Sequence, residues 1–345
     1  MHVTTVLGKI DGDQLGVTLP HEHLMSDATC VCIKPETEEL EKVAEAPVTM
    51  DMLGEIKRDL YLNRDNLIFN EVEENASDLK RFKAAGGGSL VEVTPIGIAR
   101  DVKIYQKISL ESKVHVICGT GWYIQRAHPV YVSKVSVEEL TNIMLKELTE
   151  GIDNTGIKAG VIGEIGCSHP MHPDEMKALI AAAKAQGKTG VALTIHPSTT
   201  EIDKYLNIVE KDGIIEKLYM SHMDTQTVDT DLKYQKLIMD RGACILLDRF
   251  GLEGCYDDYS HYPGALDTCN DIQRTNALVE LCKQGYDRYI MLSQDTCQKV
   301  QMKKYGGYGY AHILKHIIPI LKYRGITDSQ IRNMLVENPK RVLAR

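Results

Sequence analysis

The sequence has no long apolar run and no basic stretch, and we expect no secretory leader; each of these features argues against a class of protein. No stretch approaches the roughly 20 apolar residues that a membrane helix needs, and residues 1–11 show no apolar core followed by a small-residue cleavage site. With 40 Lys+Arg against 48 Asp+Glu the formal charge is −8, and no basic run exceeds Lys303-Lys304. We therefore expect neither a membrane nor a nucleic acid as partner.

Paired cysteine motifs are also missing. The nine cysteines are scattered from Cys30 to Cys297 without a CxxC pair, which is typical of reduced thiols in the cytoplasm and not of a disulfide framework. The chain contains no Pro/Ser-rich linker, no low-complexity tract and no fixed-period repeat beyond the strand–helix alternation described below. Its 43% hydrophobic residues suffice for a sizeable core. The sequence predicts a cytoplasmic, single-domain protein over residues 1–345, and an enzyme is the default at this length.

Short apolar runs alternate with helical segments along the whole chain. Most of these runs are continuous and rich in β-branched residues, as strands buried on both faces should be. The eight candidate strands are Val17–Leu19, Ser89–Thr94, Val114–Gly119, Gly160–Ile165, Val191–Ile195, Lys217–Met220, Ala243–Leu247 and Tyr289–Leu292. The alternation predicts an α/β fold and favours a (β/α)₈ TIM barrel over an open doubly wound sheet.

The sequence contains signals that mark the ends of several helices. Capping boxes are expected where Ser136 precedes Glu139 and where Thr327 precedes Gln330. The predicted helices are Ser136–Glu150, stopped by Gly151; Asp174–Ala185, stopped by Gly187; Asn270–Lys283; Glu71–Ala85, stopped by Gly86–Gly88; and a last helix followed by Pro339.

The first crossover, from Leu24 to Gly88, is too long for one helix. Its acidic, poorly patterned stretch Lys34–Ala46 is interpreted as a surface insertion after the first strand.

Metal-ligand residue types follow the predicted strands. In a barrel the carboxyl ends of the strands and the loops after them carry function. The residues at these ends are His21 and His23 after the first strand, Glu164 at the fourth, His196 at the fifth, His222 at the sixth and Asp295 at the eighth. A lone His at a strand end is usually a satisfied polar residue, but six suitable residues at strand ends are hard to obtain by accident. Imidazoles and carboxylates are ligands that borderline divalent metals accept.

The spacing of these residues predicts two metal ions. His21 and His23 are two apart on a strand, so both leave the same face and can chelate one ion. The other two histidines come from adjacent strands and can hold a second, with Glu164 bridging both. The positive charge would lower the pKa of a bridging water, making a hydroxide available near neutral pH. Asp295 would be both a ligand and the proton acceptor.

Other histidines and one glutamate are assigned no metal. Glu22, between the two strand-end histidines, points to the opposite face and is interpreted as structural. His169 and His172 lie in a Pro-rich loop after the fourth strand, where they either line the pocket or are solvated. His115, His312 and His316 fall at a strand start or in a helix and are not expected to be ligands.

Together these motifs resemble those of the phosphotriesterase family of the amidohydrolase superfamily. The segments that carry the resemblance are Thr5–Gly8, Leu19–Leu24, Lys158–Gly166, Ile195–Pro197, Ser221–Asp224, Ser293–Asp295 and Lys304–Tyr310. The resemblance implies a (β/α)₈ barrel, two divalent metals that are usually zinc, and hydrolysis by a bridging hydroxide. It also makes a homodimer an expectation, since relatives are often dimers.

One departure bears on the substrate. Where the organophosphate-hydrolysing and lactonase branches place a carboxylated lysine, this chain has Glu164, as the phosphotriesterase-homology and phosphotriesterase-related proteins do. The resemblance therefore implies cleavage of a small carboxylic ester, lactone or N-acyl amide, and the animal relatives point to N-acyl amino-acid or N-acetyltaurine amidases. Phosphotriester hydrolysis, a one-metal deaminase and a non-catalytic ligand-binding protein are the alternatives.

Two further residues are candidates for contact with the substrate. Tyr123 occupies the place where lactonase relatives put a tyrosine facing the metals; it could donate a hydrogen bond to the hydroxide or the carbonyl oxygen, or simply form the pocket wall. Arg249 could bind a substrate carboxylate or sulfonate through its planar guanidinium, or form a salt bridge with Asp248 or Asp257.

Three lysines follow Asp295 closely. Lys299, Lys303 and Lys304 could attract an anionic substrate, or could form a solvated helix face. Gln298 and Gln301 stand where sugar-lactone-phosphate relatives offer an arginine, which weakens a phosphate-binding interpretation.

Overall fold

Eight parallel strands lie side by side in chain order in one sheet. The structure is a computed structural model that describes residues 1–197, 201–224, 231–253 and 269–345. The strands are β1 (Val17–Glu22), β2 (Gly87–Glu92), β3 (His115–Thr120), β4 (Val161–Gly166), β5 (Leu193–His196), β6 (Leu218–Met220), β7 (Cys244–Leu247) and β8 (Ile290–Leu292). Directly after β8, the Ser293 Oγ atom accepts from the His21 N–H of β1 at 3.1 Å, so the last strand returns to the first. The sheet is a nearly closed barrel, and the predicted (β/α)₈ fold is confirmed.

The barrel strands bury both of their faces. In β2, Leu90 packs outward with the helix layer, whereas its neighbour Val91 packs inside the barrel with Ile117 and Leu246. This arrangement explains why the strands appear in the sequence as continuous apolar runs and not as alternating apolar and polar residues.

Helices alternate with the strands, as predicted. They span Val72–Ala84, Val102–Ser112, Val137–Thr149, Pro173–Thr189, Ile202–Asp212, Lys233–Asp240, Asp271–Lys283, Ile318–Tyr323, Asp328–Arg332 and Asn338–Leu343, with π-helical turns at Ile313–Ile317 and Asn333–Glu337. The capping boxes at Ser136 and Thr327 are both present. Among the described residues, no helix has the length and apolar character needed to cross a membrane.

Three predicted helix stops are wrong in detail. The helix after β4 passes through Gly187 and ends at Gly190, which has a φ of +67°. A Cβ at Gly187 would lie 2.5 Å from the Asp212 carbonyl oxygen, so this glycine serves close packing. Of the glycine run only Gly86 is a stop, because the other two begin β2. Pro339 lies in the first turn of the last helix, where its missing N–H costs nothing.

The long connection between β1 and β2 contains the predicted insertion. It holds helices Glu38–Glu45, Leu53–Arg58 and Arg64–Leu67 and an antiparallel pair, Ser26–Asp27 with Ile68–Phe69. The stretch interpreted as unpatterned, Lys34–Ala46, thus includes a helix, which Thr37 caps.

The insertion packs on the loops at the carboxyl end of the barrel. Its residues Val48, Ile56 and Leu60 form one cluster with Leu252, from the loop after β7, and Val300, from the loop after β8. It therefore covers one side of the end at which the predicted ligands lie.

Candidate functional site

The six predicted metal ligands come together at the carboxyl end of the barrel. His21 is on β1, Glu164 on β4 and His196 at the end of β5, and the other three lie just after β1, β6 and β8. Five of these residues are buried, and His196 is half-buried. His222 and Asp295 have positive φ angles, +57° and +48°, because the chain turns away from the strand at both points.

Glu164 lies at the centre of the cluster. Its Oε2 atom is 3.1 Å from His196 Nδ1 and 3.5 Å from His21 Nε2. Its Oε1 atom is 3.6 Å from His23 Nε2. Since one carboxylate faces histidines of both predicted pairs, it is placed as a bridging ligand would have to be.

Asp295 faces the first histidine pair. Its Oδ1 atom lies 3.3 Å from His23 Nε2 and 3.5 Å from His21 Nε2. Two triplets have all their donor atoms within 4.8 Å of one another: His21, His23 and Asp295, and His21, Glu164 and His222. Within the described residues, the buried Nε2 of His21 has no hydrogen-bond partner. The donor set and this orphaned nitrogen fit divalent metal ions.

Buried polar groups orient three of the histidines. His21 Nδ1 hydrogen-bonds with Ser221 Oγ at 2.9 Å, and His222 Nδ1 donates to Asp248 Oδ1 at 3.0 Å. His23 Nδ1 lies 2.7 Å from Thr94 Oγ1. In each case the Nε2 atom is left facing the cluster, the arrangement typical of metal-binding histidines.

The charges of the cluster shift its pKa values strongly. Burial lowers the pKa of His23, but hydrogen bonding to Asp295 and the charge of Glu164 outweigh it and raise the pKa to about 9. Burial raises the pKa of Asp295, but its histidine partners hold it well below its ordinary value. Burial and the neighbouring His222 lower the pKa of His196. The cluster therefore balances buried carboxylate charge with protons, which metal ions would replace.

A pocket opens above the cluster. Besides the cluster residues it is lined by Ser26, Tyr61, Tyr123, Arg249, Cys297, Gln298 and Gln301 and by the apolar residues Ala28, Val31, Leu60, Leu67, Ile98 and Leu252. The Tyr123 hydroxyl is 3.5 Å from His196 Nε2, so this tyrosine does face the cluster.

Arg249 enters the same pocket from the loop after β7. Its Nε atom lies 3.9 Å from Asp295 Oδ2, and its Nη2 donates to the Tyr61 hydroxyl at 3.3 Å. Asp257, one of the two alternative partners predicted for it, lies outside the described residues. The pocket thus combines one guanidinium with a largely apolar wall.

Two of the three lysines after β8 form ion pairs with acidic residues of the connection between β1 and β2. Lys299 is buried, and its ammonium pairs with Asp65 of the insertion at 2.6 Å. Lys304 pairs with Glu71 at 2.8 Å. The solvated-face alternative is wrong for Lys299, because this residue ties the loop after β8 to the insertion.

The histidines assigned no metal lie elsewhere. His172 is the N-cap of helix Pro173–Thr189 and accepts from the Asp174 N–H. His312 pairs with Asp271 at 2.7 Å.

Sequence reasoning missed most of the supporting residues. Asp248 was considered only as a partner of Arg249, and Thr94, Ser221 and Tyr61 were given no role. Asp248 and Ser221 directly follow β7 and β6, so the strand-end rule that found the ligands could have found both.

Comparison with known proteins then gives the family. A family model described as the phosphotriesterase family matches residues 1–343. The chain belongs to the phosphotriesterase family. A curated N-acetyltaurine hydrolase from Salmo salar is 40% identical over 350 residues, which cover 99% of this chain and 97% of that protein.

Solved structures of the family have the same fold. A resiniferatoxin-binding protein from Rhodobacter sphaeroides superposes with a TM-score of 0.94 at 32% identity, covering 99% of this chain and 94% of that one. The Escherichia coli phosphotriesterase homology protein, complexed with phosphate in its active site, gives a TM-score of 0.78 at 26% identity and covers 96% and 99%. The chain is a hydrolase of a family of binuclear metal enzymes, and its cluster is a possible metal site.

Proposed function

We propose that this protein hydrolyses a small N-acyl amide whose amine part carries an anionic group, as N-acetyltaurine does, and that it uses two divalent ions, zinc being the expected metal. The observation that carries the proposal is the convergence of four imidazoles and two carboxylates at the base of a pocket that also contains Arg249. The names of the relatives support the substrate class, since proteins named N-acetyltaurine hydrolase match nearly the whole chain.

The cluster residues divide into two groups of ligands. His21, His23 and Asp295 would hold one ion and the remaining two histidines the other, with Glu164 shared. When bound, the two ions would supply Lewis acidity for the substrate carbonyl and an activated water.

Asp295 is the proposed proton carrier. Its Oδ1 atom faces both histidines of the first pair, and its Oδ2 atom lies 3.9 Å from Arg249 Nε in the pocket. It can therefore accept the proton that the attacking water loses and deliver it to the nitrogen of the leaving amine. The products are the carboxylic acid and the free amine, and every atom of the water is accounted for.

Arg249 and Tyr123 are the proposed substrate contacts. The Arg249 guanidinium would bind the sulfonate or carboxylate of the amine part through its planar fork, and Leu60 and Leu252 of the pocket wall exclude water around it. The Tyr123 hydroxyl, 3.5 Å from His196, would donate to the carbonyl oxygen as charge develops there.

The deciding experiment measures metal content and then turnover on the same zinc-reconstituted sample. The substrates pair N-acetyltaurine and N-acetyl amino acids with aryl acetates, γ- and δ-lactones and paraoxon. Two ions per chain and fastest turnover of the anionic amides are expected. The best substrate separates amidase from esterase or lactonase.

Other results would overturn separate parts of the proposal. One ion or none contradicts the binuclear site, and paraoxon as the best substrate contradicts the substrate class. Two ions without any turnover would favour a ligand-binding protein.

A further inference from the structure

Glu22 is a fully buried carboxylate that belongs to neither of the proposed ligand groups. It lies on β1 between the two ligand histidines and faces the other way, as predicted. Its Oε1 atom accepts from the Ser293 hydroxyl and the Gln294 N–H, both at 2.7 Å, and its Oε2 atom accepts from the Thr296 N–H at 2.8 Å. One side chain of β1 thus holds three donors of the segment that follows β8.

These three donors bracket Asp295. The residue before Asp295 and the residue after it both donate their backbone N–H groups to the same carboxylate. Asp295 itself has a φ of +48°, a left-handed conformation that costs roughly 1–2 kcal/mol for a residue with a Cβ. Its own N–H donates weakly to the His21 carbonyl at 3.3 Å. The Asp295 carbonyl accepts from Gln301 Nε2 at 2.9 Å. The unusual turn is therefore held from two sides, by Glu22 at the N–H groups of both flanking residues and by Gln301 at the carbonyl.

We propose that Glu22 is a positioning residue for Asp295: it ties the strand that carries His21 and His23 to the turn that carries the carboxylate facing them. The inference rests on the metal site of the proposed function. His21 and His23 are the neighbours of Glu22 along β1, and Asp295 is held through the hydrogen bonds that Gln294 and Thr296 donate to Glu22. Glu22 therefore sets the distances between the three ligands of one ion. It touches neither substrate nor ion.

Only a carboxylate satisfies all three donors at this place. A glutamine can accept from two of them with its one oxygen, but its NH₂ group would face the Thr296 N–H, donor against donor. Glu22→Gln therefore keeps the volume and removes one bond next to Asp295. Ser293→Ala removes a different one of the three, together with the bond from the His21 N–H to Ser293 Oγ, and leaves the carboxylate intact.

The first readout is zinc affinity, measured by competition with a chromogenic chelator. We expect Glu22→Gln to weaken one of the two sites about 10–100-fold, the usual effect of losing a group that orients a ligand, and to leave the other site unchanged. Ser293→Ala should weaken the same site by less. Ser109→Ala is the matched control, because Ser109 is also a buried serine, with its hydroxyl donating to the Val114 carbonyl at 2.7 Å away from the site, and it should leave both affinities unchanged.

The second readout is coupling to Asp295. If Glu22 acts through Asp295, adding Glu22→Gln to Asp295→Asn should cause no further loss of kcat or of zinc affinity. If Glu22 only closes the barrel, its effect will be a lower melting temperature of the chelated protein, with unchanged zinc affinity and additive losses in the double variant, and the proposal is then wrong.

The metal content and turnover of the wild type show whether this inference or the proposed function has failed. A wild type that binds two ions but hydrolyses nothing overturns the activity, while the affinity test of Glu22 still stands. A wild type that binds no ion overturns both.

Discussion

At the scale of single residues, the site depends on histidines that use one ring nitrogen for a hydrogen bond and turn the other ring nitrogen toward the cluster. Thr94 donates its only hydroxyl hydrogen to Glu92, so its oxygen accepts from His23 Nδ1. His23 Nε2 therefore points at Asp295 and Glu164. Asp295 in turn borders both the cluster and the pocket side chain Arg249.

Asp295→Asn should lower kcat for an N-acyl amide about 10²–10⁴-fold, the range of general acid–base contributions. An aryl ester with the same acyl group should lose less, because its leaving aryloxide needs the proton less than an amine does. Steady-state kinetics on the matched pair, at equal zinc content, measures the difference. Asp101→Asn is the control, since an asparagine can still cap the helix that Asp101 begins. An unchanged amide kcat would remove Asp295 from the mechanism.

Arg249→Met should raise KM for N-acetyltaurine at least tenfold and leave KM for a neutral aryl acetate nearly unchanged, because only the anionic substrate loses its charge partner. Arg249→Lys should recover part of the loss, since it keeps the charge without the planar fork. Equal effects on both substrates would show that Arg249 shapes the pocket and does not select an anion.

Glu92 gives the protein a pH dependence of its own. Burial raises its pKa to about 7 in the folded state, from an ordinary 4.5. Its contribution to stability is therefore fully present below about pH 4.5 and is lost as the pH rises through 7, up to roughly 3 kcal/mol. Glu92→Gln, which cannot ionise, should gain stability relative to the wild type between pH 5 and pH 8. Urea unfolding of the metal-free protein at the two pH values tests this, with Glu73→Gln as an exposed control.

The ligands could be predicted from the sequence because each is a suitable residue type at the end of a recognisable strand. The residues that orient them could not be assigned, since the value of Thr94 or Ser221 depends on which histidine of another strand it meets. Glu22 was placed correctly on the opposite face by strand alternation, but nothing in the sequence pairs it with residues more than 270 positions away.

At the scale of elements, the insertion between β1 and β2 is part of the pocket. Leu60 and Tyr61 line it, and the insertion is anchored to the loop after β8 by two bonds. Asp65 pairs with Lys299, and Asn66 Oδ1 accepts from the Val300 N–H at 3.1 Å. The sequence indicates that an extra segment is present, but its short helices and its anchors depend on contacts with distant loops.

Lys299→Met should loosen this anchor and raise KM several-fold with kcat nearly unchanged, because the pocket wall moves while the cluster stays. The increase should appear for neutral and anionic substrates alike. An increase confined to anionic substrates would instead support charge attraction by Lys299. Lys322→Met is the matched control, since its pair with Asp328 is exposed and contributes little.

At the scale of the whole molecule, the two ends of the barrel have separate tasks. The cluster and pocket lie at the carboxyl end, whereas the opposite end is closed by the first and last residues of the chain. His2 and Arg345 exchange two backbone hydrogen bonds, of 2.8 and 3.1 Å. Leu343 packs with Val3 and Leu15 in the cluster that fills the barrel interior. In barrels of this kind the carboxyl end carries function and the other end stability.

This separation makes Leu343→Ala a test of the fold that spares the site. Removing most of a buried leucine should lower the free energy of unfolding by about 2–5 kcal/mol, measured by urea denaturation of the zinc-loaded protein. Well below the melting temperature, kcat, KM and zinc content should match the wild type, since Leu343 packs with Val3 and Leu15 at the end of the barrel opposite the proposed ligands. Leu110→Ala, at an exposed position, controls for the loss of a leucine. If zinc content fell together with the free energy of unfolding, the two ends would be coupled through the strands. A loss of activity in any destabilised variant, Glu22→Gln included, would then have to be compared with that of Leu343→Ala at equal stability before it is assigned to the site.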